Sequence, residues 1–248
     1  MCMPRFFIRQ NQIDEYENSP CVRITGDDAH HISRSLRMAV GEVIDVVDMQ
    51  KNLYTCKLAK FNEGEVVAII VDKRQIDTEP PVNIKLYQAL AKGDKMETII
   101  QKSIECGACE IIPFSSERCV VKLDKKDSGK KTERWQKIAE GAAKQSGRGI
   151  VPTVKDVLSF KEMLEHISGT VIFCYEGEET VSIKEALEKT EITGDVSVIV
   201  GSEGGFSVDE ARAICQRGAV SVSLGKRILR CETAPVFALS CIVYRLEL

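Results

Sequence analysis

The sequence has no long apolar run. None of its uninterrupted apolar stretches approaches the roughly 20 residues that a helix needs to cross a membrane. The first ten residues, MCMPRFFIRQ, lack the apolar segment and the small-residue cleavage site of a secretory signal peptide. We therefore expect a soluble, cytoplasmic protein without a membrane partner.

The chain also lacks cysteine pairs in a metal-binding or disulfide arrangement. Its 10 cysteines are scattered, and the single C-x-x-C, at residues 106–109, has no second pair to complete a zinc site. Redox-active pairs open a helix, whose N-terminus lowers the thiol pKa, whereas this pair ends a predicted helix and leads into a strand. The sequence predicts inert thiols and no bound metal.

A large excess of positive charge is missing as well. The formal net charge is -3, which argues against a protein that coats nucleic acid with its whole surface. Residues 118–148 are an exception, because they hold ten Lys or Arg and only four Asp or Glu. Such a run is either a solvated helix face or a patch that contacts phosphates, and charge alone does not distinguish the two.

The N-terminal third contains a series of short alternating stretches. They lie at residues 21–24, 42–47, 53–58 and 66–71. Gly41, Asn52 and Gly64 separate them, and this pattern predicts a small β-rich barrel or sandwich. Residues 26–38 interrupt the series and are predicted to form a short helix with Asp27 as its N-cap.

The hydrophobic period changes after a polar stretch in the seventies. This change predicts a barrel domain at residues 1–72, a linker at 73–82 and a second domain at 83–248. Strands alternate with helices in the second domain, which predicts an α/β fold with a largely parallel sheet covered by helices. The predicted strands are 84–90, 110–114, 171–175, 196–200 and 220–224. The predicted helices are 94–105, 132–145, 183–189, 208–217 and 234–246.

The stretch VSVIVGSEGGFSVDEARAI, residues 196–214, has the strand, glycine loop and helix that often bind phosphates. Its glycines, however, follow G-x-x-G-G rather than G-x-G-x-x-G, and no acidic residue ends the next strand. No Gly-Lys-Ser/Thr follows either, and Glu203 would repel a pyrophosphate. These features disfavour a nucleoside triphosphate site and weaken the alternative of a nicotinamide-linked oxidoreductase.

A second loop follows the last predicted strand. We expect the strands 196–200 and 220–224 to be neighbours, so that residues 201–205 and 225–233 form a crevice at their carboxyl ends, the usual ligand site of open α/β sheets. Thr233 is a candidate cap of the last helix, with Pro235 in its first turn. The alternative is that both loops are merely tight connections.

The two loops together resemble the paired signature of the RsmE family. The motifs are GSEGGFS at residues 201–207 and LGKRILRCETA at 224–234, and the resemblance extends to AAKQSGR at 142–148 and HHISRSLRM at 30–38. Members of this family are SPOUT-superfamily methyltransferases that modify N3 of a uridine, uracil 1498, in 16S ribosomal RNA. The family most often has threonine where this chain has Cys231.

The resemblance implies a fold, a cofactor and partners. The fold is an α/β SPOUT domain with a C-terminal trefoil knot, preceded by a small PUA-like β-barrel domain that binds RNA. The cofactor is S-adenosylmethionine, and the partners are 16S rRNA within the small ribosomal subunit and a second copy of the chain. By analogy, the cofactor-binding residues are Tyr175, Glu176, Val200, Gly201, Glu203, Gly204, Gly205, Leu224, Gly225, Ile228, Leu229 and Ala234. Ile228 and Leu229 would be apolar walls against the adenine.

The same motifs supply catalytic candidates. Methylation at N3 leaves negative charge on the uracil ring, and an arginine near the base oxygens stabilises such charge. Arg230 and Arg148 are the candidates for this role. Glu203 or Glu232 could accept the N3 proton, although Glu203 is equally placed to brace its own loop.

RNA contacts are predicted in both parts of the chain. The candidate residues are Arg5, His30, Arg34, Arg37, Lys144 and Arg148. Of these, His30, Arg34 and Arg37 follow an i, i+4, i+7 spacing that predicts one helix face, which is either an RNA-binding face or simply solvated. The alternative is that the chain is an RNA-binding protein of the same fold without catalytic activity.

Overall fold

The computed structural model describes residues 3–123, 125–178 and 180–248, with the side chains of 125 and 126 left out. The chain forms two compact units. The first unit comprises Met1–Glu79 and Ala143–Val151, and the second comprises Pro80–Ala142 and Pro152–Leu248. Within the described ranges, no helix has both the length and the apolarity that crossing a membrane requires.

The first unit contains a six-stranded sheet with the order β1-β4-β5-β6-β3-β2. Its strands are β1 (Arg5–Phe7), β2 (Ile13–Tyr16), β3 (Ser19–Thr25), β4 (Val43–Val47), β5 (Asn52–Asn62) and β6 (Glu65–Gln75). β1 runs parallel to β4, and the other neighbouring strands are antiparallel. Alternate apolar side chains, among them Phe6, Ile24 and Leu58, form its core, as the period-2 pattern predicts.

The predicted boundaries differ from those of the structure. β6 continues to Gln75, so residue 72 falls inside a strand, and the first unit extends to Glu79. Residues 143–151 belong to the first unit, although the sequence placed them in the second domain. The hairpin of β2 and β3 was not predicted either, because its turn uses Glu17 and Asn18 at positive φ instead of the glycine that such turns favour.

The predicted helix at 26–38 is shorter and less regular than expected. Helix α1 (Gly26–His30) passes into a π-helical turn at His31–Ser35. Thr25 occupies the N-cap position, so the assignment of Asp27 as the cap was wrong, although Asp27 lies in the first turn where a negative charge suits the helix dipole. Arg37 has φ 51° and lies beyond the helix, so the three basic side chains do not share one continuous α-helical face.

The second unit contains a parallel sheet with the order β10-β8-β7-β12-β11-β13, and β9 pairs with β8. The strands are β7 (Asn83–Ala89), β8 (Glu110–Ser115), β9 (Thr153–Val154), β10 (Leu158–Ser159), β11 (Thr170–Cys174), β12 (Asp195–Val200) and β13 (Val220–Val222). Every pair is parallel. The parallel sheet confirms the predicted α/β class. The class was readable from the sequence because central strands covered on both faces are nearly continuous apolar runs.

Helices connect these strands. They are α2 (Lys95–Glu105), α3 (Lys125–Ser146), α4 (Phe160–His166), α5 (Ile183–Lys189), α6 (Val208–Gln216) and α7 (Ala234–Glu247). Reciprocal capping boxes of Ser and Glu three residues apart begin α4, α5 and α6. The sequence analysis did not predict α4.

The strand order corrects one expectation about the two loops. β12 and β13 are not neighbours, because β11 lies between them and pairs with both. The carboxyl ends of three strands, rather than two, therefore lie side by side at this edge of the sheet. The residues after β11, which begin with Tyr175 and Glu176, fall in the middle of the crevice.

Candidate functional site

The glycine loop after β12 is anchored at both ends. Phe206, only 1% exposed, packs edge-on against Phe173 with ring centroids 5.0 Å apart and stacks with Phe114 at 6.2 Å. At the start of the loop, the buried side chain of Gln88 donates from Nε2 to the carbonyl oxygen of Gly201 at 3.0 Å. The loop backbone is thus held in place before any ligand binds.

Two glycines allow neighbouring groups to approach this backbone closely. Gly205 has φ +63°, and a Cβ there would collide with the Glu176 carboxylate. A Cβ on Gly204 would lie 2.8 Å from the carbonyl oxygen of Arg118. Glu176 Oε1 also accepts a hydrogen bond from the backbone N–H of Phe206 at 3.3 Å. The residue after β11 and the loop after β12 therefore meet, as the predicted cofactor-binding residues require.

Glu203 braces the loop from the other side. Its Oε1 accepts hydrogen bonds from the backbone N–H of Lys92 at 3.1 Å and from Lys95 Nζ at 2.8 Å. Burial acts to raise the pKa of Glu203, but the hydrogen bonds from Lys95 and from backbone N–H groups outweigh it, and the pKa is lowered. The carboxylate is held ionised by its partners, which favours the bracing role over that of a proton acceptor.

Lys95 also reaches the segment after β13. Its Nζ lies 3.7 Å from Glu232 Oε2, which accepts a hydrogen bond from Cys231 Sγ at 3.2 Å. Burial raises the pKa of the Cys231 thiol to about 12, so it stays a neutral donor. The thiol therefore donates here as the hydroxyl of the family's usual threonine could, and one lysine links Glu203 to Glu232.

The rest of this segment is open to solvent. Ile228 is 98% exposed, and the Arg230 side chain is exposed without a hydrogen-bond or ion-pair partner among the described residues. The Arg230 backbone carbonyl accepts from the N–H groups of Thr233 and Ala234, both at 2.9 Å. Thr233 occupies the N-cap position of α7, but its side chain makes no capping bond, and Pro235 lies in the first turn.

The remaining predicted cofactor-binding residues lie at the same edge of the sheet. Val200 ends β12, and Tyr175 follows β11 and stacks on Phe173 with centroids 5.2 Å apart. Leu224 and Gly225 follow β13. The structure thus brings the three loops to one edge, while the contacts of each residue with a cofactor stay a prediction.

Three cations that were predicted to bind RNA already have partners in the first unit. Arg148, 3% exposed, donates from Nε to both Glu79 carboxylate oxygens at 2.9 Å. Lys144 Nζ lies 2.7 Å from Asp28 Oδ1 and 5.6 Å from the centre of the Phe6 ring. Arg5 Nη2 lies 3.8 Å from Asp45 Oδ2. The structure gives these side chains a role in packing residues 143–151 against the first unit, and their RNA contacts stay a prediction.

The other predicted RNA-binding residues of the first unit are exposed. His30, Arg34 and Arg37 have no side-chain hydrogen bond or ion pair within the described part of the chain. His30 ends α1 just before the π-helical turn, Arg34 lies in the turn and Arg37 lies beyond it; such an irregularity is frequent at functional sites. Their charges are therefore available to a ligand.

Sequence reasoning missed several residues that shape the site. Gln88 had a readable signal, because it is a polar residue within the buried C-terminal half of β7, next to Leu86, Tyr87 and Ala89. Glu210 could have been found from the spacing Ser-x-x-Glu that begins α6. Lys95 and Glu79 carry no local signal, since their partners lie far away in sequence.

Comparison with known proteins gives this site a family. A family model of the RNA methyltransferase domain matches residues 78–243, and one of the RNA methyltransferase PUA domain matches residues 24–71. Ribosomal RNA small subunit methyltransferase E of Bacillus subtilis is 38% identical over 252 residues, which cover 99% of this chain and 98% of that protein. The chain belongs to the ribosomal RNA small subunit methyltransferase E family. The predicted resemblance is thereby confirmed.

Solved structures similar to this methyltransferase E family chain contain a cofactor. The crystal structure of ribosomal RNA small subunit methyltransferase E from Neisseria gonorrhoeae, bound to S-adenosyl methionine, has a TM-score of 0.85 and 30% identity. A putative methyltransferase from Legionella pneumophila, in complex with the same cofactor, has a TM-score of 0.85 and 29% identity. Both similarities cover 98% of each chain.

Proposed function

We propose that this protein transfers a methyl group from S-adenosylmethionine to N3 of a uridine in 16S rRNA of the small ribosomal subunit. The observation that carries the proposal is the meeting of the two C-terminal motifs at one edge of the parallel sheet, where Lys95 joins Glu203 to Glu232. Two cofactor-bound structures similar over nearly the whole chain support it. The target is uracil 1498 by family analogy.

The residues at this edge fit the cofactor. Gly204 and Gly205 let Arg118 and Glu176 close tightly on the loop, and Ile228 exposes an apolar side chain that a bound adenine would cover. The ionised Glu203 is tolerable beside a cofactor that has no phosphate. S-adenosylmethionine, when bound, supplies a methyl group on a positively charged sulfur. A trefoil knot around these loops is expected from the family.

Arg230 is the proposed catalytic residue. Its guanidinium is always protonated and has no partner among the described residues, so its fixed fork of donors is available to the oxygens of a uracil anion. Glu203 is proposed to hold the glycine loop against Lys95, since that bond keeps it ionised. The proposed role of Arg148 is to hold residues 143–151 in the first unit through Glu79.

The first unit is proposed to contact the RNA through His30, Arg34 and Arg37. All three are exposed, and Arg37 has a positive φ of 51°, a strained conformation of the kind that clusters at functional sites. Binding through such cations releases counterions, so we expect affinity for rRNA to fall steeply as salt rises.

A second copy of the chain is the other proposed partner. Helix α7 carries Phe237 and Tyr244 with exposed fractions of 38% and 71%, and Leu248, which follows the helix, is 93% exposed. Its other side buries Ala238, Leu239 and Ile242, so the helix is apolar nearly all round, which is typical of a helix that becomes buried. The homodimer of the SPOUT superfamily would cover this face.

The experiment that tests the proposal is deletion of the gene, followed by mass-spectrometric mapping of methylated uridines in 16S rRNA. We expect one N3-methyluridine to disappear and to return when the gene is restored. Unchanged methylation would contradict the proposed substrate. Calorimetric titration of the purified protein with S-adenosylmethionine separates the enzyme from an inactive RNA-binding protein of the same fold, which would bind rRNA but not the cofactor.

A further inference from the structure

A cavity of about 200 Å³ lies between the start of α2 and the face of α3 in the second unit. Its floor is apolar and buried, because Leu90, Met96 and Trp135 are each at most 3% exposed. Charged side chains form its rim. They are Asp94, Glu97, Lys131 and Arg134. An apolar floor with a few polar groups at the edge is the usual form of a small-ligand site.

This cavity adjoins the glycine loop. β7 and β12 are parallel neighbours with Gln88 opposite Val200, so the residues that follow each strand lie side by side. The turn of residues 91–95 serves both features: its Gly93 and Asp94 line the cavity, while the Lys92 N–H and Lys95 Nζ bind Glu203 at 3.1 and 2.8 Å. A ligand in the cavity is therefore one turn of chain away from the proposed cofactor loop.

The size and charge of the cavity identify the kind of ligand. Its volume lies below the roughly 300–1,000 Å³ of sites for drug-sized molecules, so it suits a single ring. Trp135 lines the cavity but is only 3% exposed, so its ring face is largely covered, and a ligand in the cavity would change its surroundings without stacking on it. Arg134, 67% exposed, is held at the rim by Glu97 at 2.7 Å, and its remaining donors can reach a base oxygen or a phosphate.

Asp94 adds an acceptor at the rim. It occupies the N-cap position of α2, but its side chain makes no capping bond, and within the described ranges it has no ion-pair partner. A free carboxylate in such a place accepts hydrogen bonds from ribose hydroxyls. The 2′-hydroxyl is also the group by which a protein distinguishes RNA from DNA.

A second cavity, of about 500 Å³, extends the first. It shares Asp94, Glu97 and Arg134 with it and continues between α2 and α3 past Gln101 and Ile138 to Ala142. The two cavities thus lie on either side of the Glu97–Arg134 ion pair, which lines both. The second cavity has room for the nucleotides that flank the one in the first cavity.

We infer that the first cavity receives the uridine that is to be methylated, with its base above the floor that includes Trp135, Arg134 at a base oxygen or the phosphate, and Asp94 at the ribose 2′-hydroxyl. This inference rests on the proposed function, because it places the substrate nucleotide beside the proposed cofactor loop. It also gives Arg134, a cation of the basic run at residues 118–148, a defined role at the rim.

Binding is measured without the methyl transfer reaction. Trp135 is the only tryptophan of the chain, so its fluorescence reports directly on the floor of the cavity. We expect a saturable change when the full-length protein is titrated with a short single-stranded RNA that contains one uridine in the 16S sequence. The change should weaken when that uridine is replaced by 2′-deoxyuridine. No change in Trp135 fluorescence on RNA binding would overturn the inference.

Variants of the rim test the assignment of each group. Arg134→Met should weaken binding of this RNA by about tenfold to a hundredfold, the usual value of a charge-assisted hydrogen bond, and Arg134→Lys should recover part of it. Asp94→Ala should abolish the preference for uridine over 2′-deoxyuridine. The matched controls are Arg212→Met and Asp209→Ala, two exposed residues of α6 away from the cavity, which should bind like the wild type.

Cofactor titration separates the possible failures. Each variant should bind S-adenosylmethionine like the wild type, which also shows that it is folded. If the wild type methylates 16S rRNA and Arg134→Met does so with an unchanged KM for RNA, the cavity is not the uridine site although the proposed function stands. If the wild type binds no cofactor and methylates no rRNA, the proposed function itself fails.

Discussion

Two arginines from motifs of the same family lie in opposite environments. Arg148, in the first unit, is 3% exposed and shares both oxygens of the Glu79 carboxylate. Arg230, in the second unit, is exposed and has no side-chain partner among the described residues. Both were candidates for the same chemical role. The structure separates an arginine whose donors are already used from one whose donors are available.

The physical cost of each arrangement explains the difference. A buried guanidinium must be paired, since taking an ion out of water is costly unless its charge and donors are matched. Such a pair restricts the backbone on both sides of it. In this chain it holds residues 143–151 against Glu79, and the backbone N–H of Gly149 donates to the same carboxylate. An exposed guanidinium stays hydrated until a ligand arrives, so its full set of donors can bind an anion.

The largest expected effect is on the buried pair. Arg148→Met leaves the Glu79 carboxylate buried without its partner, and we expect the first unit to lose about 3–5 kcal/mol of stability. Glu79→Gln should have a similar effect, because it leaves the guanidinium unpaired. Hydrogen exchange of the amides in β3–β6 measures the loss within the first unit, whereas Trp135 fluorescence reports on the second.

An exposed pair in the same unit is the control for this prediction. Arg23 and Asp14 lie 2.6 Å apart with side chains 35% and 54% exposed, so Arg23→Met should destabilise the first unit far less than Arg148→Met does. Equal losses in Arg148→Met and Arg23→Met would show that burial does not set the value of the Arg148 pair. A loss confined to RNA binding, with stability unchanged, would assign Arg148 to the substrate instead.

The next largest effect is expected at Arg230. Arg230→Met should lower the rate of methyl transfer by about 10²–10³, the usual cost of removing one donor to a developing anion. Binding of S-adenosylmethionine should not change, since no described cofactor-loop residue depends on this side chain. Single-turnover methylation of 16S rRNA measures the rate, and calorimetry measures the cofactor affinity.

Arg217→Met is the matched control for Arg230. Arg217 is an exposed arginine at the C-cap of α6 in the same unit, outside the loops of the site, and its removal should leave both measurements unchanged. Near wild-type turnover in Arg230→Met would exclude the residue from the reaction. Arg148 and Arg230 would then differ in burial but not in catalytic role.

The fold was largely predictable because it is encoded in local patterns. Period-2 alternation found β3 to β6, and continuous apolar runs alternating with amphipathic segments found most of the second sheet. What failed depends on interactions that these patterns do not contain. The order of β11, β12 and β13 depends on pairing between strands that lie far apart in sequence. The hairpin at Glu17 and Asn18 places Glu17, a residue type that seldom adopts positive φ, in the left-handed region.

The site was predictable only as far as its motifs reach. Local spacing identified the glycine loop and the segment that ends in Glu232, and the structure places both at one edge of the sheet. Local spacing could not show that Lys95 joins these two segments, because the lysine lies 108 positions from Glu203 in sequence. It also could not tell Arg148 from Arg230, since their difference arises from Glu79, a residue that the sequence placed in a linker.

Lys95 is intermediate between the two arginines, and it carries the smallest expected effect. It is paired with Glu203 at 2.8 Å, but its side chain is 34% exposed, so Lys95→Met should weaken S-adenosylmethionine binding by no more than about fivefold. Because the folded pKa of Glu203 lies below its ordinary value of 4.5, the pair strengthens the loop above that pH and loses this contribution as pH falls through the lowered pKa. Glu203→Gln should therefore remove the acid-side decline in cofactor affinity, and Lys95→Arg should retain it. Calorimetry from neutral pH to below 4.5 measures the decline. An equal decline in wild type and Glu203→Gln would show that the bond between Lys95 and Glu203 contributes nothing to the loop. Burial would then be the only feature that distinguishes the cations of this protein.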